Sequence, residues 1–432
     1  MKLYIVTLGC PKNEADFSLF KYHLLQSGHE IVEDVEDAEG VVINTCGFIL
    51  DAKRESIDTI LEFVEYKKKR PDFKIFVVGC LVQRYLNELG AELPEVDGWF
   101  GVIPPKTLAE NIDRISKYIT DPIAVYRFEG RIDDKMPYAY VKIADGCDRT
   151  CTFCTIPKFK GGFVSREIED IVAEVQYLLS KGKREIILVA QDTTGYGIDN
   201  YGYQALPKLL ERLSTLDGEF WIRVMYMHPD HVTDEIIDAF SHNKVLKYFD
   251  VPVQHGSDKI LRLMGRLKTS AELKELFEKI RERYPEAVLR TSVIIGFPGE
   301  TREDFEQLLD FIRYVEFDKL GAFLYSEEED AASAKLPGKV SKKVAQSRLD
   351  KLMELQAEIS FIRNRRYLGK VIDVLFEEMV EGVLIGRGYM DAPEVDGNIF
   401  VKATRPLEEI NGFAKVLVYE TDTYDLEGEL VE

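Results

Sequence analysis

The sequence predicts an α/β protein of three parts: an N-terminal open α/β domain over residues 1–128, a central partial and open β/α barrel over 129–368, and a small antiparallel β-barrel over 369–432. Three observations carry this reading. Apolar, β-branched runs ending at Cys10, Cys46 and Cys80 each lead into a helical pattern. Between residues 138 and 326 strand-like and helix-like stretches alternate as about six βα units. Five short strands broken by Gly, Asp and Pro then fill the last 60 or so residues. At 432 residues the chain is also too long for one ordinary core.

The elements follow in order. Residues 2–10 read as a strand and 14–27 as an amphipathic helix; 41–46 and 74–80 are further buried strands, with a helix over 51–69. The three cysteines that end these strands lie 36 and 34 residues apart, about one βα repeat. Open α/β sheets put their ligand crevice at the carboxyl ends of the strands, so Cys10, Cys46 and Cys80 are expected to converge there. Any one of them alone would read as a small buried hydrophobe. Lys67, Lys68, Lys69 and Arg70 sit at a predicted helix end, where cations complement the dipole, and read as a solvated terminus. Residues 129–137 are polar and bounded by Gly and Pro, as suits a linker. Strands at 138–145, 185–191, 221–227, 248–254, 288–296 and 318–326 alternate with helices such as 166–181, 232–241, 270–283 and 301–315. Six units fall short of a closed eight-stranded barrel. A long helix at 341–368 leads to strands at 370–379, 382–388, 398–403, 413–421 and 425–431.

Composition excludes several classes. With 45% apolar and 31% charged residues this is a globular chain, and its first apolar run is too short to span a bilayer, so a cytoplasmic protein without membrane contact is expected. Six Cys do not make a secreted disulfide scaffold, and a reducing compartment would keep them free as metal ligands. Net charge is −20, which argues against a broad phosphate-binding face. Residues 370–432 hold five Lys and Arg against fifteen Asp and Glu, half of the excess.

The chemistry centres on Cys147-Asp148-Arg149-Thr150-Cys151-Thr152-Phe153-Cys154. Three thiols this close, without a fourth ligand nearby, can hold three corners of a cubic iron-sulfur cluster and leave one iron open. A closed zinc site needs four ligands, and an electron carrier wants four thiolates per cluster. A zinc knuckle, buried thiols and a non-catalytic electron carrier remain the alternatives. The spacing C-x3-C-x-aromatic-C resembles radical S-adenosylmethionine enzymes, in which the methionine moiety chelates the free iron and cluster reduction yields a 5′-deoxyadenosyl radical. With a three-cysteine domain before it and a small β-barrel after it, the whole chain resembles the methylthiotransferase family. That resemblance implies a radical S-adenosylmethionine barrel, a TRAM-like terminal barrel, and two 4Fe-4S clusters, the second held by Cys10, Cys46 and Cys80. It also implies S-adenosylmethionine, a reductant such as flavodoxin or ferredoxin, and a sulfur donor.

One branch of the family modifies tRNA adenosine; the other modifies an aspartate of ribosomal small-subunit protein twelve. Cys10-Pro11-Lys12-Asn13, Thr45-Cys46-Gly47-Phe48-Ile49, Gln191-Asp192-Thr193, Asp391-Ala392-Pro393-Glu394-Val395-Asp396-Gly397 and Tyr424-Asp425-Leu426 resemble the second. An acidic terminal barrel would repel a tRNA backbone and attract a basic ribosomal protein, so tRNA is not the expected substrate. The resemblance implies that one S-adenosylmethionine methylates sulfur on the second cluster, while the radical from another opens the aspartate β-carbon to the methylthio group. No acid or base is needed.

Further site residues are implied by the same resemblance. Phe153 would lie beside the adenine, Gln191 and Asp192 near the methionine amino group, and Gln254 and Gly296 near the ribose and adenine. Arg223 is the candidate for the methionine carboxylate, with a barrel salt bridge as its other reading. Lys160 stands where the family more often has Arg. Gly195-Tyr196-Gly197 lacks the third Gly of a dinucleotide fingerprint. His228 and His231, around Pro229-Asp230, read as a loop leading into a helix rather than as metal ligands.

Overall fold

The computed structural model describes residues 1–118, 126–410 and 412–431. The N-terminal sheet has six parallel strands: β1 (Lys2–Thr7), β2 (Glu30–Val32), β3 (Gly40–Thr45), β4 (Lys74–Gly79), β5 (Gly98–Phe100) and β6 (Lys117–Tyr118). Helices α1 (Pro11–Gln26), α2 (Leu50–Lys69), α3 (Cys80–Glu92) and α4 (Pro105–Asn111) connect them. The order is β2-β1-β3-β4-β5-β6. From β1 the chain steps out to β2 and returns on the other side as β3, so the winding reverses between β1 and β3, where such sheets bind ligands. Every residue of β3 is buried, as expected of a strand covered on both faces.

The central domain contains β7 (Tyr138–Lys142), the short antiparallel pair β8 (Ala144–Asp145) and β9 (Val164–Ser165), then β10 (Glu185–Val189), β11 (Trp221–Val224), β12 (Tyr248–Asp250), β13 (Val288–Ile295) and β14 (Lys319–Leu324). Its helices are α5 (Ile156–Lys160), α6 (Ile168–Ser180), α7 (Ile198–Tyr201), α8 (Leu206–Ser214), α9 (Asp234–Ala239), α10 (Asp258–Leu263), α11 (Ser270–Arg283) and α12 (Arg302–Val315). The parallel ladders β7-β10-β11 and β12-β13-β14 are joined by backbone bonds from Leu246 N–H to the Ile222 carbonyl and from Met227 N–H to the Asp250 carbonyl, each 2.9 Å. The result is the six-stranded open barrel expected from the sequence. Two of the expected strands end early: the chain leaves the ladder after Val224 and after Asp250, and turns inward at Tyr226 and Gln254, both with positive φ (61° and 75°).

Helix α13 (Lys342–Asn364) crosses to β15 (Val371–Val380), β16 (Val383–Arg387), β17 (Ile399–Lys402), β18 (Phe413–Thr421) and β19 (Leu426–Leu430), which close in the order β15-β16-β17-β19-β18. The loop 389–396 of this small barrel stops the mouth of the central barrel at the first residues of its strands. Met390 and Ala392 share a core with Tyr138, Ile187, Met225 and Tyr248. Around that core, Lys319 pairs with Asp391 at 2.6 Å, Tyr248 donates to Asp396 at 2.5 Å, and Tyr138 donates to Glu394 at 3.1 Å. The N-terminal domain is tied to the other end. There the buried Glu328 carboxylate takes Lys53 at 2.7 Å and Arg84 at 3.0 Å. No helix among the described residues is long and apolar enough to cross a membrane.

Candidate active site between two cysteine trios

The Cys147 loop leaves β8 through Gly146, whose φ of +74° and tight surroundings demand glycine: a Cβ there would lie 2.0 Å from the Gly162 carbonyl oxygen. Thr152 then fastens the loop, donating its N–H to the Met264 carbonyl at 3.0 Å and its hydroxyl to that of Leu263 at 2.7 Å, while its own carbonyl accepts from Ser333 N–H at 2.9 Å. This places Cys147, Cys151 and Cys154 on one wall of an open cavity at the carboxyl ends of the barrel strands. Phe153, Gln191 and Gln254 line it too, as do Arg149, Tyr226, His228 and Arg266. Burial pushes the Cys147 thiol up to about 11 and the Cys154 thiol up to about 12, so thiolate here requires a bound cation to hold it.

His228 does not complete a four-ligand set. Its Nε2 is 4.0 Å from Cys151 Sγ but is taken by the Arg266 guanidinium, and burial followed by that cation holds the imidazole well below its ordinary pKa. His228 and His231 bracket a single 3₁₀ turn, Pro229–His231, as the sequence reading preferred. Among the described residues no three His, Cys, Asp or Glu side chains are gathered to hold one metal ion. Thiols that hold a cluster each take a different iron and need not meet at one point. Three thiols with a fourth donor blocked fit a cluster with one open iron.

The second trio follows the N-terminal sheet. Cys10 caps α1, Cys46 follows β3, and Cys80 opens α3. Ser56 of α2 fixes Cys46, its Oγ accepting the Cys46 N–H at 3.1 Å and donating to the Cys46 carbonyl at 3.2 Å. Burial pushes the Cys80 thiol up to about 12, with Cys46 and Cys10 adding to the effect. Cys80 packs with Val102 and Phe159, and Phe48 and Ile156 border that cluster. Ile156 also lines the cavity, so α5 stands between the two trios.

Two lysines enter the same junction. Lys12 of α1 lies 4.0 Å from the centre of the Tyr226 ring. Lys160 ends α5, buried and 3.4 Å from Asp145 Oδ2. Burial works against the Lys160 charge, but Asp145, Cys80, Asp16 and Cys10 together hold its pKa above the ordinary lysine value. The lysine in place of the more usual arginine therefore meets a carboxylate as a point charge.

Of the remaining expected residues, Phe153, Gln191 and Gln254 face the cavity. Gln191 donates Nε2 to Asp145 at 2.8 Å, and its buried Oε1 has no partner. Asp192 stands behind the wall, capping the next turn and binding Arg149 at 3.0 Å and His231 at 3.2 Å. Burial would raise its pKa, but the His231 hydrogen bond, His228, Thr194 and Arg149 hold it far below the usual carboxylate value. Arg223 is a correction. It is fully buried at the opposite, stoppered mouth, where Nε meets Glu185 at 2.6 Å and Nη1 donates to the Tyr389 carbonyl at 2.9 Å. Gly296 is likewise off the cavity wall: its N–H donates to Glu300 at 2.7 Å, and a Cβ would lie 2.8 Å from that of Ala345 on α13. Sequence reasoning missed Arg149, Tyr226 and Arg266, and it weighed His228 only as a metal ligand. Arg149 lies inside the cysteine motif and could have been named; the positive φ of Tyr226 leaves no such trace.

Family models match along the chain. Residues 2–101 match "Uncharacterized protein family UPF0004", 141–312 the Radical SAM superfamily, and 368–431 the TRAM domain. Radical S-adenosylmethionine methyltransferase TsrM from Kitasatospora setae, solved with cobalamin and a [4Fe-4S] cluster, shares the fold with a TM-score of 0.57 at 13% identity, over 91% of this chain and 82% of that one. The cobalamin-dependent S-adenosylmethionine radical enzyme OxsB aligns with a TM-score of 0.51 at 12% identity, over 83% and 56% of the two chains. Among sequences, "Ribosomal protein uS12 methylthiotransferase RimO" of Fervidobacterium nodosum is 72% identical over 100% of this chain and 99% of its own. The proteins of the same name from Thermosipho africanus and Thermotoga maritima are 62% and 56% identical over 100% of both chains. With this identity sustained from end to end, the chain belongs to the RimO family of radical S-adenosylmethionine methylthiotransferases.

Proposed function

We propose that this enzyme adds a methylthio group to the β-carbon of an aspartate in ribosomal protein uS12, with a 4Fe-4S cluster at each cysteine trio and S-adenosylmethionine in the cavity. The observation that carries it is the pair of separate thiol trios flanking one junction. When bound, the cluster at Cys147, Cys151 and Cys154 supplies the electron that cleaves S-adenosylmethionine, and the one at Cys10, Cys46 and Cys80 supplies the sulfur.

The residues of the chain do the rest. Gln191 Oε1, buried without a partner, is an acceptor for the methionine ammonium, and leaving it unpaired is costly. Phe153 offers a ring to the adenine, and Gln254 is held on the cavity wall by its N–H bond to the Ser292 carbonyl at 2.9 Å. Arg149 and Arg266 bring to the cavity the cations that Arg223 does not. Met227, Pro229 and Pro252 make the remaining wall apolar, which keeps water from a reactive radical.

The division of labour follows the three parts: 1–128 for sulfur, 129–368 for radical generation, and 369–432 for the protein substrate. The last part carries net charge −10 from residue 370 onward, which steers a basic protein inward and a nucleic acid away. A one-electron donor such as flavodoxin or ferredoxin and a sulfur donor complete the reaction. Mass spectrometry of uS12 after anaerobic turnover tests the reading: a methylthio gain on an aspartate is expected. Changing Cys10, Cys46 and Cys80 together to Ala should abolish that gain and spare 5′-deoxyadenosine formation. Sulfur insertion by the triple variant would overturn the assignment.

A further inference from the structure

The central barrel is open along one side, and its two edge strands differ. Along β7 the gap is filled by α1, whose Ala15 shares a core with Tyr138 and Tyr140 and whose Ser18 carbonyl accepts the Ile132 N–H at 2.8 Å. Across the gap β14 pairs with β13 on one side, and among the described residues no strand pairs with the other. Both ends of this edge are fixed. At the amino end of β14, Lys319 meets Asp391 of the terminal barrel at 2.6 Å; just past the carboxyl end, Ser326 Oγ accepts the Leu50 N–H of α2 at 3.3 Å.

The chemistry of β14 is that of a strand awaiting a neighbour. Leu320-Gly321-Ala322-Phe323-Leu324 carries no charge and no Pro, and its register with β13 runs without a bulge. Exposed edges normally carry such devices, because bare N–H and C=O groups recruit other strands. Phe323 is nevertheless 52% exposed and Leu324 40%. The hydrogen bonds decide which backbone groups face the opening. On β13 the Ser292 carbonyl and the Ile294 N–H turn to Gln254, at 2.9 and 2.8 Å, so the odd-numbered residues serve β14. Tyr325 N–H accordingly reaches the Ile295 carbonyl at 2.8 Å. Successive residues of a strand alternate in this respect, so Ala322 and Leu324 direct N–H and C=O to the open side.

Charge and position select the occupant. Glu14 of α1 and Glu394 of loop 389–396 stand across the gap; both raise the Tyr140 phenol, and Glu394 accepts from Tyr138 at 3.1 Å. At its carboxyl end β14 leads to Tyr325, which borders the same apolar cluster as the cavity residue Phe153. We propose that β14 is the docking strand for the protein substrate: an extended basic segment of uS12 adds to its free edge, with cations toward Glu14 and Glu394 and one end toward the cavity. This rests on the reading of uS12 as substrate. Main-chain bonds to Ala322 and Leu324 supply the hold, and the acids favour a cationic segment over a neutral one. With six residues in β14, about 20 Å of extended chain is engaged.

The test uses the full chain with rebuilt clusters and purified uS12. Calorimetry gives the affinity, and hydrogen exchange over residues 318–326 reports pairing at the edge; uS12 should slow exchange there. Leu324→Pro deletes an edge-facing N–H and leaves the β13 ladder intact, so it should weaken uS12 binding about tenfold or more, whereas Leu324→Val should stay within about threefold of the parent. Phe323→Lys should weaken binding at least about fivefold more than Phe323→Glu. Unchanged affinity in a Leu324→Pro protein that keeps the parental circular dichroism and iron content overturns the docking strand, as does exchange unaltered by uS12. If Leu324→Pro misfolds, the Phe323 pair decides, and equal affinities count against the proposal. A parent that dimerises in sedimentation, with a Leu324→Pro variant that does not, would give the edge to a second copy instead. Mass spectrometry separates these failures from that of the underlying reading. A parent that leaves every uS12 aspartate unmodified refutes the substrate, whereas methylthio-uS12 formed equally well by Leu324→Pro refutes the strand alone.

Discussion

Replacing Arg223 with Met separates a structural role from a binding one. Arg223 is fully buried, with Nε on Glu185 at 2.6 Å and Nη1 on the Tyr389 carbonyl at 2.9 Å. Glu185 also takes Arg387 of the small barrel at 2.7 Å, so one buried carboxylate joins the two barrels. Breaking a buried ion pair costs about 3–5 kcal/mol. The remaining Arg387 still neutralises Glu185, which places the Arg223 loss at about 3 kcal/mol. At about 1.4 kcal/mol per decade, that is a roughly 150-fold rise in the opening equilibrium between the barrels. Hydrogen exchange over β15–β19 reads it directly, as faster exchange in the variant. S-adenosylmethionine affinity, measured by calorimetry on the cluster-loaded protein, should stay within about threefold. If Arg223 gripped the methionine carboxylate, losing that charge-assisted pair would cost about 1.5–3 kcal/mol of binding, more than tenfold. Weakened binding with unaltered exchange would refute the placement.

Other perturbations follow from the same geometry. Burial, then Glu394 and Asp134, push Glu14 up to about 7. A carboxyl raised in this way favours the folded state while protonated and costs stability as pH climbs from its unfolded value near 4.5 through 7. Glu14→Gln should therefore be about 2 kcal/mol more stable than the parent at pH 8 and equal to it at pH 4, measured by urea denaturation at both pH values. Gly146→Ala would force a methyl against the Gly162 carbonyl. It should bind roughly half the parent's iron or less at the Cys147 site by metal analysis, with the N-terminal domain unaffected. Gln191→Ala should lower S-adenosylmethionine affinity about tenfold without changing iron content, since it removes one acceptor and no thiol ligand.

Much of this fold was legible because its strands are long and buried. β1, β3 and β4, the six barrel strands and the five of the small barrel all stand where apolar runs predicted them. The sheet gained β2, β5 and β6 beyond expectation; with three, three and two residues, they are too short to show a period. The cysteine motif was visible because spacing alone defines it. Arg223 was misplaced for a geometric reason. A barrel strand presents inward residues at both mouths, and two positions along it decide between the cavity and the stopper. Strand ends at Tyr226 and Gln254 were overrun because left-handed backbone is announced in sequence by Gly or Asn, and these are neither.

The stopper formed by loop 389–396 turns the terminal barrel into a caliper. With Asp391, Glu394 and Asp396 clamped to Lys319, Tyr138 and Tyr248, that barrel cannot swing on a tether to follow its cargo. Any protein gripped there must present its reactive residue at one set reach from the opposite mouth. If this barrel holds the substrate as proposed, selectivity would come from distance as much as from contact, and exchanging the barrel for a relative's without its loop would lose the gauge.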